Sequence, residues 1–306
     1  MPTWRLRILF PKADALAFPL QKYLPKRFRS DAIIVPVVRL SGTIMASSGP
    51  LRQSLSLAGV AGALDKAFAV KKAPAVAILV NSPGGSPVQS RLIYQRIRDL
   101  AAEKNKTVLV FVEDVAASGG YMIACAGDEI IADPSSIVGS IGVVSGGFGF
   151  VDMIHKLGIE RRVHSTGENK ARLDPFQPER PEDIAHLLAL QAEVHETFID
   201  LVKASRGDRL VDDPDLFTGQ FWSGKRGLSL GLVDGLGDLR AVLRERYGVK
   251  VKPTLVQPNR GLFGRRPATG IGTAGGMLDP ARIGAGAAEQ LAVMAEERLA
   301  WARFGL

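Results

Sequence analysis

Residues 75–80 read AVAILV, 81–85 NSPGG, 86–103 SPVQSRLIYQRIRDLAAE and 107–112 TVLVFV. The two outer runs are apolar throughout and rich in β-branched residues, as strands covered on both faces must be. Between them Leu92, Ile93, Ile97 and Leu100 recur at helical spacing. Strand, helix, strand predicts a parallel βαβ unit. The same alternation continues outward, with further strands predicted at Ile33–Val38 and Glu129–Ala132 and helical spacing over Leu51–Val70. Downstream, Pro181–Arg206 is a long helical stretch whose Ile184, Leu187, Leu188, Leu190, Val194 and Phe198 share a face, and Phe217–Tyr247 closes the body. The fold class is therefore α/β, with any site expected in loops at the carboxyl ends of the strands.

Three segments are expected: a basic amphipathic leader (1–31), the α/β body (32–250), and a tail (251–306) rich in Gly, Pro and Ala with a short helix near Ala287–Ala302. The net charge of +8 sits mostly on the two ends. The leader sets Arg5, Arg7, Lys12, Lys22, Lys26, Arg27 and Arg29 against Asp14, among Trp4, Phe10, Phe18 and Tyr23. That composition suits peripheral contact with an anionic membrane, and equally a leader packed on a partner subunit. The body carries little net charge, which argues against nucleic acid as a partner. No apolar run reaches the ~18–20 residues of a membrane span, and prolines at 11, 19 and 25 break the order of a secretory signal. A cytoplasmic location follows as the expectation, with peripheral contact on the inner face of a membrane. The single cysteine, Cys125, lies in an apolar helical run and is assigned to core packing.

The chemistry-bearing residues lie after the strands. Two glycines behind Pro83 let backbone N–H groups face outward, as an oxyanion hole requires, although a plain strand-to-helix turn has the same composition. After Thr107–Val112, the run Ala116-Ala117-Ser118-Gly119-Gly120 places a small hydroxyl at a tight turn before a helix. Such a turn exposes Oγ and presents the N–H of the next residue to a developing oxyanion, and a helix N-cap serine fits the same position. None of His155, His164, His186 and His195 is placed as its base. Neither H-E-x-x-H nor C-x-x-C occurs, so no metal and no cofactor is expected.

In order along the chain, Ser82-Pro83-Gly84-Gly85, Ala117-Ser118-Gly119-Gly120-Tyr121, Val138-Gly139-Ser140-Ile141-Gly142, Gly167-Glu168-Asn169-Lys170 and Gly231-Leu232-Val233-Asp234 resemble the motifs of the signal peptide peptidase A family and its SohB-type relatives. The resemblance implies a Clp/crotonase-like spiral of β-β-α units and a serine–lysine dyad. By motif, Ser118 is the nucleophile, Lys170 the general base and Ser140 the hydroxyl that orients the lysine. Gly85 and Gly119 supply the oxyanion N–H groups. Substrates are unfolded apolar peptides, such as spent signal peptides or membrane-protein fragments, and a homo-oligomer is expected. A lysine of ordinary pKa, ~10.4, is neutral in only about one molecule in 2,500 at pH 7, so a lysine base must be desolvated and kept from carboxylates. Glu168 and Asp174 are the nearest in sequence. Two other readings compete: a crotonase-type acyl-CoA enzyme, and a non-catalytic scaffold on a membrane surface.

Overall fold

The computed structural model describes residues 32–46, 54–257, 295 and 298–306. The leader and most of the tail, with the roles expected of them, lie outside the described residues.

The stretch at 75–112 folds as its pattern dictates. Strand β2 (Ala75–Ser82) runs into α2 (Pro87–Lys104) and back into β3 (Thr107–Ala117), and β2 and β3 pair in parallel. Helix α2 starts where its residues are suited to start it: Ser86 Oγ accepts the Gln89 N–H and Pro87 fills the first turn. It stops at Asn105, whose φ of +48° turns the chain out of the helix. Strand β1 (Ile34–Ser41) lies beside β2, and α1 (Leu57–Phe68) connects the two. This helix begins later than its apolar spacing predicts, because Leu55 bridges to Ile44 and Ser56 caps the first turn through the Gly59 N–H.

Strand β3 is longer than its apolar run and divides the sheet. Its first half, Leu109–Val112, pairs with β4 (Glu129–Ala132), and its last residues, Val115–Ala117, pair with β5 (Ile137–Gly139). A short helix, α3 (Gly119–Ala124), follows β3 directly. Helices α4 (Val151–Lys156) and α5 (Pro181–Arg206) come next, then β6 (Phe221–Ser223), antiparallel to β5, and α6 (Gly224–Ser229). Strand β7 (Gly235–Leu236) pairs with β4, α7 (Leu239–Tyr247) follows, and β8 (Lys252–Leu255) pairs with β1. The main path of the sheet is thus β6-β5-β3-β2-β1-β8, with β4 and β7 branching from β3. The sheet is branched and mostly parallel, with helices between its strands, as the α/β class read from the sequence requires. The boundary read at residue 250 falls short, since β8 continues the sheet to Leu255.

Alternation along the strands divides the interior. Val38, Leu40, Val76, Ile78, Val108 and Val110 face α1, α2 and α3, while Val35, Val37, Leu109 and Phe111 face Leu243 of α7. Each such fully buried side chain is worth about 1.5–3 kcal/mol over an exposed one. A third, small cluster covers the end of β3, where Phe304 of the C-terminal segment packs on Val115 and Ala117. Phe304 also meets Phe221 edge to face, with ring centroids 5.1 Å apart. The part of the tail helix that is described, residues 298–302, thus leads into a core contact. Cys125 is buried in the main core, where desolvation pushes its thiol up to about 12, so it stays protonated at neutral pH.

Candidate active site

Ser118 stands between β3 and α3 with φ +52° and ψ −123°. A non-glycine residue in that region costs on the order of 1–3 kcal/mol and persists only where its surroundings impose it. Here they do. The Ser118 N–H donates to the Gly139 carbonyl at 2.8 Å, tying the turn to the end of β5. Its carbonyl accepts from the Met122 N–H at 3.0 Å, so α3 begins at once. The hydroxyl caps nothing and makes no hydrogen bond among the described residues, which sets aside the N-cap reading of this serine. Ser118 is half-buried at the carboxyl end of a parallel strand.

The backbone of Gly84 and Gly85 lies against this turn. A Cβ on Gly84 would come within 2.8 Å of Ser118 Cβ, and one on Gly85 within 2.1 Å of the Ile44 carbonyl oxygen. Their φ values, +106° and +137°, also exclude other residues. Ile44 holds the loop on both sides, donating to Gly84 O at 2.8 Å and accepting from the Ser86 N–H at 2.8 Å. This pattern leaves the Gly85 N–H without a partner among the described residues, and the Gly119 N–H, in the first turn of α3, has none either. Two free N–H groups beside a free hydroxyl are what acyl transfer needs.

Ser140 follows β5 as Ser118 follows β3. Ala117 and Gly139 are register partners, so the two serines lie side by side at neighbouring strand ends. Ser140 is buried, has φ +52°, and its N–H donates to the Gln220 carbonyl at 2.7 Å. Its hydroxyl also has no hydrogen bond among the described residues. His195 Nε2 lies 3.0 Å from the Ile141 carbonyl, a contact that anchors α5 and gives no base to Ser118.

Lys170, the expected base, makes no hydrogen bond to Ser118 or Ser140 among the described residues. It lies exposed in the connection between α4 and α5, held only through its backbone N–H to the Gly167 carbonyl. The burial expected of it is absent in the single chain. The freedom from carboxylates is partly present. Asp174 is engaged by the Phe176 N–H at 3.1 Å and by Arg161 at 2.9 Å, which hold it below the usual carboxylate range. Asp183, buried at the start of α5, takes Arg172 at 3.1 Å and Arg180 at 2.9 Å. The connection is therefore anchored by arginines on both sides of Lys170. Exposed apolar side chains occur on both sides of α4, at Val144 and Phe148 (76%) before it and Leu157 after it, and at Leu188 and Leu190 of α5.

The motif at Gly231–Asp234 has a supporting role that its sequence does not reveal. Tyr121 of α3, fully buried, donates to the Leu232 carbonyl at 2.7 Å. Asp234 receives buried Arg206 in a bidentate pair at 2.8 and 2.9 Å, Arg209 at 3.2 Å and the Ile130 N–H at 2.7 Å. Burial opposes ionisation of Asp234, but these partners outweigh it and hold its pKa below the usual carboxylate value. The end of α5 is thereby fixed to β4 and to the helix behind Ser118.

Comparison with known proteins places the chain. The family model for peptidase family S49 matches residues 101–251. The chain is 33% identical over 211 residues to a putative protease of Methanocaldococcus jannaschii, covering 66% of each protein. It is 31% identical over 236 residues to the chloroplastic serine protease SPPA of Arabidopsis thaliana, covering 74% of this chain and 34% of that one. It is also 61% identical over 292 residues to a protein of Brucella abortus (strain 2308) named Na(+)/H(+) antiporter NhaA. That match takes in 95% of this chain but 40% of the other protein, so the name describes a chain of which this one spans less than half. Among the described residues no helix is long and apolar enough to cross a membrane. The segment shared with the family model contains Ser118, Ser140 and Lys170, and the chain belongs to peptidase family S49.

Proposed function

We propose that the protein is a serine endopeptidase in which Ser118 is the nucleophile and Lys170 the general base, the two supplied by neighbouring copies of the chain. The observation that carries this reading is the Ser118 turn: a free hydroxyl on a strained backbone, with the unpartnered N–H groups of Gly85 and Gly119 beside it. In the reaction, Ser118 Oγ attacks the scissile carbonyl carbon and gives its proton to the lysine amine. The carbonyl oxygen, now an anion, accepts from the two glycine N–H groups. Collapse breaks the C–N bond, the lysine returns the proton to the leaving amine, and water, deprotonated by the lysine, releases the acyl group. Ser140, beside Ser118, orients the lysine amine through its hydroxyl.

The sharing of the dyad is supported by Lys170 itself. It stands exposed on an arginine-anchored arm with exposed apolar residues around it, and an oligomer interface would bury both. Burial there would also supply the desolvation the base needs. A site closed within an assembly admits extended chains and excludes folded ones, so unfolded apolar peptides are the substrate class we propose. The leader would hold the protein on the cytoplasmic face of an anionic membrane.

The test is mass spectrometry of the protein after reaction with a serine-directed fluorophosphonate. Adduct on Ser118 alone is expected. A protein that hydrolyses casein while Ser118 stays unmodified would refute the assignment.

A further inference from the structure

Strands β2 and β3 do not stay in step. Val80 is the register partner of Val112, but Ser82 is the partner of Ala116. Over that interval β2 advances two residues and β3 four, so β3 carries a two-residue excess around Glu113 and Asp114. Because the excess is even, the facing of β3 is kept: Val110, Val112 and Ala116 all point into the main core. What changes is the position along the strand. Without the excess, Gly84 would sit level with Ala116 and Ser118 would lie about 6–7 Å further on, at two residues of ~3.3 Å each. With it, the serine turn comes level with Gly84, close enough for a Cβ there to touch Ser118 Cβ at 2.8 Å.

One side chain spans the irregularity. Asn81 Oδ1 accepts the Val115 N–H at 3.2 Å, a group that the broken ladder leaves without a strand partner, and Asn81 Nδ2 donates to the Asp114 carboxylate at 2.6 Å. Asn81 is 8% exposed, and its own carbonyl accepts from the Gly42 N–H at 2.9 Å, so its backbone is fixed to the loop after β1. Its neighbour Ser82 does the matching work on the glycine side, with Oγ donating to the Gly42 carbonyl at 2.7 Å and accepting the Gly84 N–H at 3.2 Å.

We propose that Asn81 is a positioning residue for catalysis: its amide, clamped on Asp114 and Val115, holds the two-residue offset that brings Ser118 level with the Gly84–Gly85 loop. The proposal rests on Ser118 being the nucleophile. An amide is needed because the site requires one acceptor and one donor at once, and aspartate at 81 would offer two acceptors, one of them facing the Asp114 carboxylate.

The experiment compares Asn81→Asp, Asp114→Asn and the double exchange, each checked by circular dichroism and assayed below its unfolding temperature. In the exchange, the amide at 114 donates and the carboxylate at 81 still accepts the Val115 N–H, so the clamp is rebuilt with its polarity reversed. Asn81→Asp is expected to lower kcat on casein and the rate of fluorophosphonate labelling by about 10–100-fold, with KM within about two-fold, as misplacing a nucleophile by ~1 Å does. The exchange should recover labelling to within about three-fold of Asp114→Asn, a recovery that general loosening of the fold would not give. A folded Asn81→Asp protein labelled at the wild-type rate overturns the proposal, as does a folded exchange protein as slow as Asn81→Asp. Should Asn81→Asp fail to fold, Asp114→Ala, at an exposed position, removes only the acceptor. About 3–10-fold slower labelling is then expected from losing one hydrogen bond to a charged group, and the wild-type rate overturns the proposal. Absence of label on Ser118 in the wild-type protein would instead refute the nucleophile, and this proposal with it.

Discussion

Ser118 and Ser140 share a positive φ, +52° in both, each standing one residue beyond the register pair Ala117–Gly139. Two adjacent parallel strands thus each end on a serine of positive φ, and among the described residues neither hydroxyl has a hydrogen-bond partner. Their equivalence is geometric, and their expected contributions differ. Replacing Ser118 with Ala should abolish hydrolysis of casein, and Lys170→Ala should do the same, because nucleophile and base act as a unit. Ser140→Ala removes an orienting hydrogen bond, worth about 0.5–1.5 kcal/mol, and should leave measurable turnover. Steady-state rates on the three folded variants decide this; full activity in Lys170→Ala would remove the dyad.

The strain at Ser118 sets two effects of glycine against each other. Relief of the positive φ favours Ser118→Gly over Ser118→Ala by about 1–3 kcal/mol, while the extra freedom of unfolded glycine costs about 0.4–1 kcal/mol. Relief is the larger. The glycine variant should therefore be the more stable of two inactive proteins, by about 1 kcal/mol in urea unfolding. An alanine variant that is equally stable would show that the turn holds no strain.

If the dyad is shared between copies, mixing restores it. Inactive Ser118→Ala and Lys170→Ala chains, dissociated and reassembled together, should regain activity, because some interfaces then carry both intact residues. Mixing that recovers nothing, or a monomeric active species by light scattering, would place the whole site within one chain.

The pair Arg206–Asp234 makes acid stability depend on one carboxylate. Asp234 has its folded pKa lowered, so its contribution is fully present above the ordinary carboxylate pKa and is lost as pH falls through the lower folded value. Asp234→Asn leaves the buried Arg206 without its counter-charge and should cost about 3–5 kcal/mol at pH 7. The penalty should shrink as the pH falls, since the wild-type protein then loses the same charge. Unfolding curves at pH 7 and pH 3 check both statements, and an undiminished gap at low pH would mean the charge is not what matters.

The leader is expected to bind anionic lipid vesicles more weakly as salt rises, at up to ~1 kcal/mol per basic residue near the surface. Deleting residues 1–30 should abolish co-sedimentation with such vesicles. Equal sedimentation of full-length and shortened chains would remove that role.

Local chemistry made much of this molecule legible in advance. The apolar, β-branched runs at 75–80 and 107–112 and the spacing of Ile93, Ile97 and Leu100 have few ways to be buried other than as a parallel βαβ unit. Glycines at 84 and 85 report a backbone that no side chain can share, and the helix over Pro181–Arg206 has the bounds its pattern predicted. Other features depend on partners far away in the chain. Strand β5, three residues long, is set by its pairing with β3 and β6, and β8 exists because β1 offers it an edge. The charge partner of Asp234, Arg206, lies 28 positions away. The sequence by itself determined the central strands, the long helices and the glycine turn at 84–85, because those choices rest on spacing, branching and φ within a few residues. The tertiary structure alone decided that β3 runs two residues out of step with β2, that Ser118 therefore meets Gly84, and that Lys170 is exposed in the single chain. Register and long-range charge pairing are relations between segments, and no single segment encodes them.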